Sequence, residues 1–225
     1  MGAGPREDID ALAAEGEKVS AFLRGLNDAG WRTPTRCPPW DVREVVIHMT
    51  TMMRKMGEAA AAPVEAEPSE DRASWWDYDI EEDKVRSLTF MEEQTTRFPA
   101  GGLYEEWNAA IERCVASVRS ALAEGDPVVR PGDSSIVLSE YVATRVLEIT
   151  IHEMDVRNAL GLDPDPSPEG LAVTVDILQR RLGEDPIALG FEAVDFVLLA
   201  TGRRELDDHD RARLGMPATR LPLLA

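Results

Sequence analysis

The stretch Tyr141–Gly161, YVATRVLEITIHEMDVRNALG, decides how this chain is read. At about 100° per residue it forms one helix, on which Tyr141, Arg145, Glu148, His152 and Asp155 share a stripe about 80° wide. Val142, Val146, Ile149, Val156 and Leu160 flank that stripe on one side, and Leu147, Ile151 and Met154 flank it on the other. Thr150, Glu153 and Arg157 fall on roughly the opposite face, where solvent is expected. A polar stripe between apolar flanks points into the protein. Burying Arg, Glu, His and Asp together is costly unless they pair or bind something. The stripe is therefore the candidate site.

The surrounding chain has 225 residues, 44% of them hydrophobic, enough for a sizeable core in one large domain or a domain with an appendage. A net charge of −18 and a pI near 4.5 argue against a nucleic-acid phosphate surface or an anionic membrane as partner. The acidic excess reads as a solvated surface. No apolar run reaches transmembrane length, and the opening MGAGPREDID lacks the hydrophobic region of a signal peptide. Arg6 stands where a myristoylation motif carries Ser or Thr. Two cysteines, Cys37 and Cys114, suggest free thiols rather than a disulfide framework, so a cytoplasmic protein is expected.

Helical periodicity recurs on both sides of the organising stretch. Residues 7–27 place Ile9, Leu12, Val19, Phe22, Leu23 and Leu26 on one face. A structured loop with Trp31, Pro34, Pro38, Pro39 and Trp40 follows, and Asp41 with Glu44 makes a capping-box pattern. The helix it opens carries an apolar stripe from Val42 to Met56, with His48 on its edge. Ala59–Asp79 reads as a long loop whose Trp75, Trp76 and Tyr78 serve as packing anchors or a lid. Helices are predicted over Ile80–Phe98 and Leu103–Leu122, separated by Pro99, Gly101 and Gly102. Ser139 is the expected cap of the organising helix, and Gly161 its stop. Asp163–Gly170 reads as a proline-stiffened linker, Leu171–Leu182 and Phe191–Thr201 as helices, and Leu206–Ala225 as irregular apart from one turn. There is no repeat and no trustworthy strand pattern. The class is all-α, with a four-helix bundle over 1–162 and a short helical C-terminal region over 163–225 packed on it.

Within that frame the histidines matter. Glu148 and His152 are neighbours on one helical face, and His48 lies on another core-facing helix. Together they make a His₂-carboxylate set that leaves a coordination position open, as catalytic zinc sites do and as non-haem iron uses. Asp155, one turn beyond His152, could orient a ligand histidine or a bound water. Arg145, one turn before Glu148, could neutralise the site or hold a substrate carboxylate. The competing reading is a buried Arg145–Glu148–Asp155 ion network with no metal.

Two motifs carry a resemblance. WRTPTRCPPWDVREVVIHM, Trp31–Met49, and RVLEITIHEMDVRNALG, Arg145–Gly161, resemble the mycothiol-dependent maleylpyruvate isomerase family of DinB-like four-helix bundles. Ala200-Thr201-Gly202-Arg203 is a weaker third match. The resemblance implies metal ligands at His48, Glu148 and His152. It also implies a divalent metal, zinc before nickel or iron, and mycothiol or a similar thiol as cosubstrate. Pro39 stands where the family pattern has glycine. The family's isomerase has a mixed α/β C-terminal domain with a substrate-binding arginine, for which Arg203, Arg204 and Arg220 are the candidates here.

Two functions follow as expectations. The first is a metal- and thiol-dependent transferase or isomerase acting on a small electrophile, with His48, Glu148 and His152 on the metal and Asp155 and Arg145 in catalysis. The second is a non-catalytic metal-binding bundle for ligand sensing or protein interaction. A homodimer through helix faces is compatible with either. Cys37 reads as a packed loop cysteine and His209, among Asp207, Asp208 and Asp210, as a surface histidine.

Overall fold

A computed structural model of the protein describes residues 4–77, 80–98 and 101–224; Tyr78 and Pro99 lie outside the described residues. Long amphipathic helices dominate it: α1 (Pro5–Leu23), α3 (Val42–Ala61), α4 (Ile80–Arg97), α5 (Leu103–Glu124) and α6 (Leu138–Ala159). Between the first two sits the single turn α2 (Asp28–Trp31). Beyond α6 come α7 (Pro168–Leu182), α8 (Ala193–Ala200) and α9 (Asp208–Leu214). The chain folds as an all-α bundle. α1 packs against α5 and α6, and α3 against the same two, so the neighbours run α1–α5–α3–α6 around a shared core. Leu12, Met49, Met53, Trp107, Leu147 and Ile149 fill that core and are fully buried. α1 and α5 approach closely at Gly16, where an added Cβ would lie 2.6 Å from the Ile111 side chain.

Local signals place the helix ends. Asp41 accepts from the Glu44 N–H, and Glu44 reaches back to the Asp41 N–H, completing the capping box that starts α3. α6 stops at Gly161, whose φ of 72° is open to glycine at little cost, and Leu162 N–H closes onto Arg157 O at 2.9 Å.

Elsewhere the structure corrects the sequence reading. α6 begins before Ser139, because a two-residue antiparallel ladder, β1 (Val128–Val129) with β2 (Ile136–Val137), delivers the chain straight into the helix. Ser139 is instead pinned to Asp126 through its N–H and hydroxyl. The expected linker 163–170 is half structure. Ser167 caps α7, and its own N–H and hydroxyl donate to buried Glu15 at 2.7 and 2.6 Å.

The largest correction concerns the outer face of α6. Thr150 and Glu153 were expected in solvent but are 0% and 3% exposed, because α7 lies across α1 and α6 and covers them. The C-terminal tail is also less irregular than expected, with α9 and a 3₁₀ turn over Met216–Arg220. The loop after α3 is fixed by Arg72, which pairs with Asp8 of α1, Glu140 of α6 and Asp176 of α7 at 2.8, 2.8 and 3.6 Å. Among the described residues no helix is long and apolar enough to cross a membrane.

Candidate metal centre

Each side chain of the centre is placed by local structure. The loop before α3 is a tight turn in which Thr35 N–H donates to Trp40 O and Trp40 N–H to Cys37 O, at 3.0 and 2.9 Å. The Asp41 cap then sets the helical phase that turns His48 toward α6, with the Trp40 ring 5.3 Å from its imidazole. On α6 the one-turn spacing brings Glu148 and His152 to the same place.

There the three predicted ligands meet. His48 Nε2 lies 2.9 Å from Glu148 Oε1, and His152 Nε2 lies 3.8 Å from the same oxygen. The two imidazoles stand edge to face with centroids 5.1 Å apart. The side chains of all three keep between 12% and 14% exposure, so the cluster is sunken without being fully closed off from solvent. His48 Nδ1 is buried without a hydrogen-bond partner among the described residues.

Electrostatics divide the two histidines. Burial pulls the His48 pKa down against the pull of Glu148, which favours the neutral imidazole. Burial also acts against charge on His152, but Asp155, Cys37 and Glu148 outweigh it and hold its pKa well above the usual value. Glu148 is buried too, yet Arg145 and both histidines keep its carboxyl far below the ordinary range.

Asp155 is the hub behind the centre. It is fully buried; its Oδ2 accepts from His152 Nδ1 at 3.1 Å, from the Cys37 thiol at 3.2 Å and from Arg203 Nη2 at 2.6 Å. Its Oδ1 accepts from Arg203 Nε at 2.7 Å, and Arg36 Nε stands 3.8 Å away. Burial would raise the Asp155 pKa, but these donors drive it below the usual carboxylate range. Both Asp155 oxygens are thus engaged, with His152 as one of the donors.

Arg145 sits on the other side of Glu148, with Nη2 3.4 Å from Oε2. Its guanidinium carbon lies 5.7, 5.9 and 5.1 Å from the ring centroids of Trp75, Trp76 and Tyr141. The loop tryptophans thus pack as walls around this arginine. Of the predicted stripe and its partner helix, His48, Arg145, Glu148, His152 and Asp155 come together, and the sixth residue, Tyr141, lies with its ring against Arg145.

The three C-terminal arginines do not supply a free cation. Arg203 is spent on Asp155, Arg204 pairs with Asp210 at 2.8 Å, and Arg220 donates to Leu182 O. The contacts of Arg203, Arg36 and Cys37 with Asp155 were not read from the sequence. The one available signal was the weak match at Ala200–Arg203.

The donors suit a divalent cation of the zinc type: two imidazoles and a carboxylate with ligand atoms within 4.8 Å of one another, neutralised behind by an arginine. Cys37, His152 and Asp155 also cluster within 4.8 Å, but there the Arg203 guanidinium already occupies the carboxylate and opposes a second cation.

Fold and cluster together define a helical bundle with an internal His₂-carboxylate centre. A family model described as the mycothiol maleylpyruvate isomerase N-terminal domain matches residues 12–157, and the chain belongs to that family. The match takes in His48, Glu148, His152 and Asp155 and ends before Arg203. No curated protein and no solved structure matches the chain at a significant level.

Proposed function

We propose that this protein is a divalent-metal-dependent enzyme that uses mycothiol or a similar low-molecular-weight thiol to transform a small electrophile, by transfer or isomerisation. The observation that carries the reading is the convergence of His48 from α3 with Glu148 and His152 from α6, their ligand atoms within 4.8 Å of one another. These three would hold the metal, zinc before nickel or iron. A cation bound there supplies Lewis acidity that lowers the pKa of a thiol or water.

The remaining chemistry belongs to the chain. Asp155 and Glu148 favour the protonated form of His152, whose Nε2 would have to be proton-free to act as a ligand while Nδ1–H donates to Asp155. Metal uptake therefore releases a proton and weakens as pH falls. Arg145 keeps Glu148 ionised and adds positive charge beside the cluster, suited to an anionic thiolate or carboxylate. Trp40 covers the His48 ring from the loop side.

A second reading, a metal-binding bundle that senses a ligand without turnover, is favoured by one observation. Arg203, Arg204 and Arg220 each donate to a partner within the chain, and only Arg203 lies near the cluster, where both Asp155 oxygens take it up.

Elemental analysis of the purified protein beside His48→Ala tests the centre. About one zinc per chain, lost in the variant, is expected. Absence of metal after reconstitution with zinc, nickel or iron would sink both readings. Turnover of a thiol with an electrophile by the metal-loaded protein then separates the enzyme from the sensor.

A further inference from the structure

We propose that Arg203, which lies outside the matched family region, is a positioning residue for the His48–Glu148–His152 centre and acts on it through Asp155. The inference rests on the metal-centre reading above. It begins with a fully buried carboxylate on α6 whose position governs a ligand histidine. A buried carboxylate held by one imidazole N–H could rotate about its own side-chain bonds and carry the ring with it. Arg203 removes that freedom. Its Nε and Nη2 take both Asp155 oxygens, at 2.7 and 2.6 Å, and a bidentate guanidinium fixes the plane of the carboxylate as well as its charge.

With Asp155 fixed, His152 Nδ1–H has one direction in which to donate, and Nε2 is left facing Glu148. This is the arrangement in which an outer carboxylate sets the tautomer and rotation of a ligand imidazole. Arg203 is itself braced. Its Nη1 donates to Thr201 O at 2.9 Å and its backbone N–H to Leu198 O at 2.7 Å. Its carbonyl accepts from Arg36 Nη1 at 3.0 Å, and Arg36 Nε donates to Asn158 Oδ1 at 3.1 Å. The turn after α8, the loop before α3 and the end of α6 are thereby joined around one carboxylate. The C-terminal region completes the centre from behind while contributing no ligand to it.

The alternative is an ion pair that merely fastens the C-terminal segment to the bundle. Metal affinity separates the two. Zn²⁺ binding would be measured by chelator competition, and the visible absorption of the Co²⁺-loaded protein recorded. The set is wild type, R203K, R203M, D155N, the double variant D155N/R203M, and R204K as a control in the same segment. Arg203→Met is expected to weaken Zn²⁺ binding by about 10- to 100-fold and shift the Co²⁺ bands, with R204K within about twofold of wild type.

Arg203→Lys, which keeps the charge and one donor but not the fork, is expected to recover part of the loss. In the D155N background the Arg203 substitution should have little further effect, because its route to the metal is gone. Should R203M fold poorly, R203K carries the same test with a smaller expected loss. Wild-type affinity and an unshifted Co²⁺ spectrum in folded R203M would overturn the proposal, as would an equal loss in R204K. A wild type that binds no metal overturns the centre itself and this inference with it. Failure of the inference alone leaves wild-type binding intact.

Discussion

On the side of α6 that faces α3, Asp155 meets Arg203 and His152, and Glu148 meets Arg145 and His48. On the side covered by α7, Glu153 meets only Arg157, at 3.4 Å, and buried Glu15 of α1 leans on Ser167. Among the described residues, Glu15 Oε1, Glu153 Oε2 and Thr150 Oγ1 have no hydrogen-bond partner there. Both sides bury carboxylates, and the outcome is opposite. Pairing outweighs desolvation on the first, so Glu148 and Asp155 lie below the ordinary carboxylate range. Desolvation wins on the second. It raises Glu15 and, with the nearby Glu15 charge, pushes Glu153 up to about 8. Each carboxylate of the cluster has a cation close against it, whereas at the α7 interface burial outweighs the single Arg157 pair and favours the protonated form.

Breaking the paired side should have the largest effect. Asp155→Ala strands the Arg203 guanidinium and the His152 N–H in the interior, and a loss of about 3–5 kcal/mol in urea unfolding is expected. A change below about 1 kcal/mol would put this carboxylate in the class of weakly coupled surface pairs and erase the contrast.

The covered side makes a pH-dependent prediction of smaller size. Because the folded pKa of Glu153 is raised from 4.5 to about 8, the native state binds the proton more tightly than the unfolded chain. Stability from this group is full below pH 4.5 and is lost as pH rises through 8. Glu153→Gln should therefore match wild type at pH 4 and exceed it above pH 8 by a few kcal/mol, an order-of-magnitude figure. Urea midpoints at both ends of that window check it, and a variant equal to wild type throughout would show that Glu153 is solvated. Raised Glu15 leaves some slope behind even when the prediction holds.

The smallest effect sharpens the picture around Arg145. Trp75→Phe keeps an aromatic wall but weakens its attraction for the guanidinium, and about 0.5–1 kcal/mol should be lost in thermal or urea unfolding. Retained stability would assign the cage to shape rather than to charge.

Much of this was legible in the residues. The Asp41–Glu44 box, the Gly161 stop and the periodicity of the four bundle helices are local signals, and they gave helix ends and inward faces. The stripe of Arg145, Glu148, His152 and Asp155 was legible for the same reason, since polar residues at helical spacing between apolar flanks have to face the interior. The outer face of α6 misled. Thr150 and Glu153 look like solvent positions until α7 is laid across them, and nothing within α6 announces that cover. The linker reading of 163–170 failed in the same region. Ser167 and Pro168 are helix-start residues, but the proline-rich run before them reads as spacer.

The sequence by itself determined the all-α class, the phase of α3 and α6, and the identity of the residues that meet at the centre. Those properties follow from capping and periodicity, which act over a few residues. Only the tertiary structure decided which cations each buried carboxylate would have. Arg203 reaches Asp155 across 48 positions of chain, and Glu153 is closed off by a helix from the C-terminal region. A charge's surroundings in three dimensions, rather than its place along one helix, set whether it stays ionised. The same chemical group therefore serves as a fixed anion on one face of α6 and as a proton holder on the other.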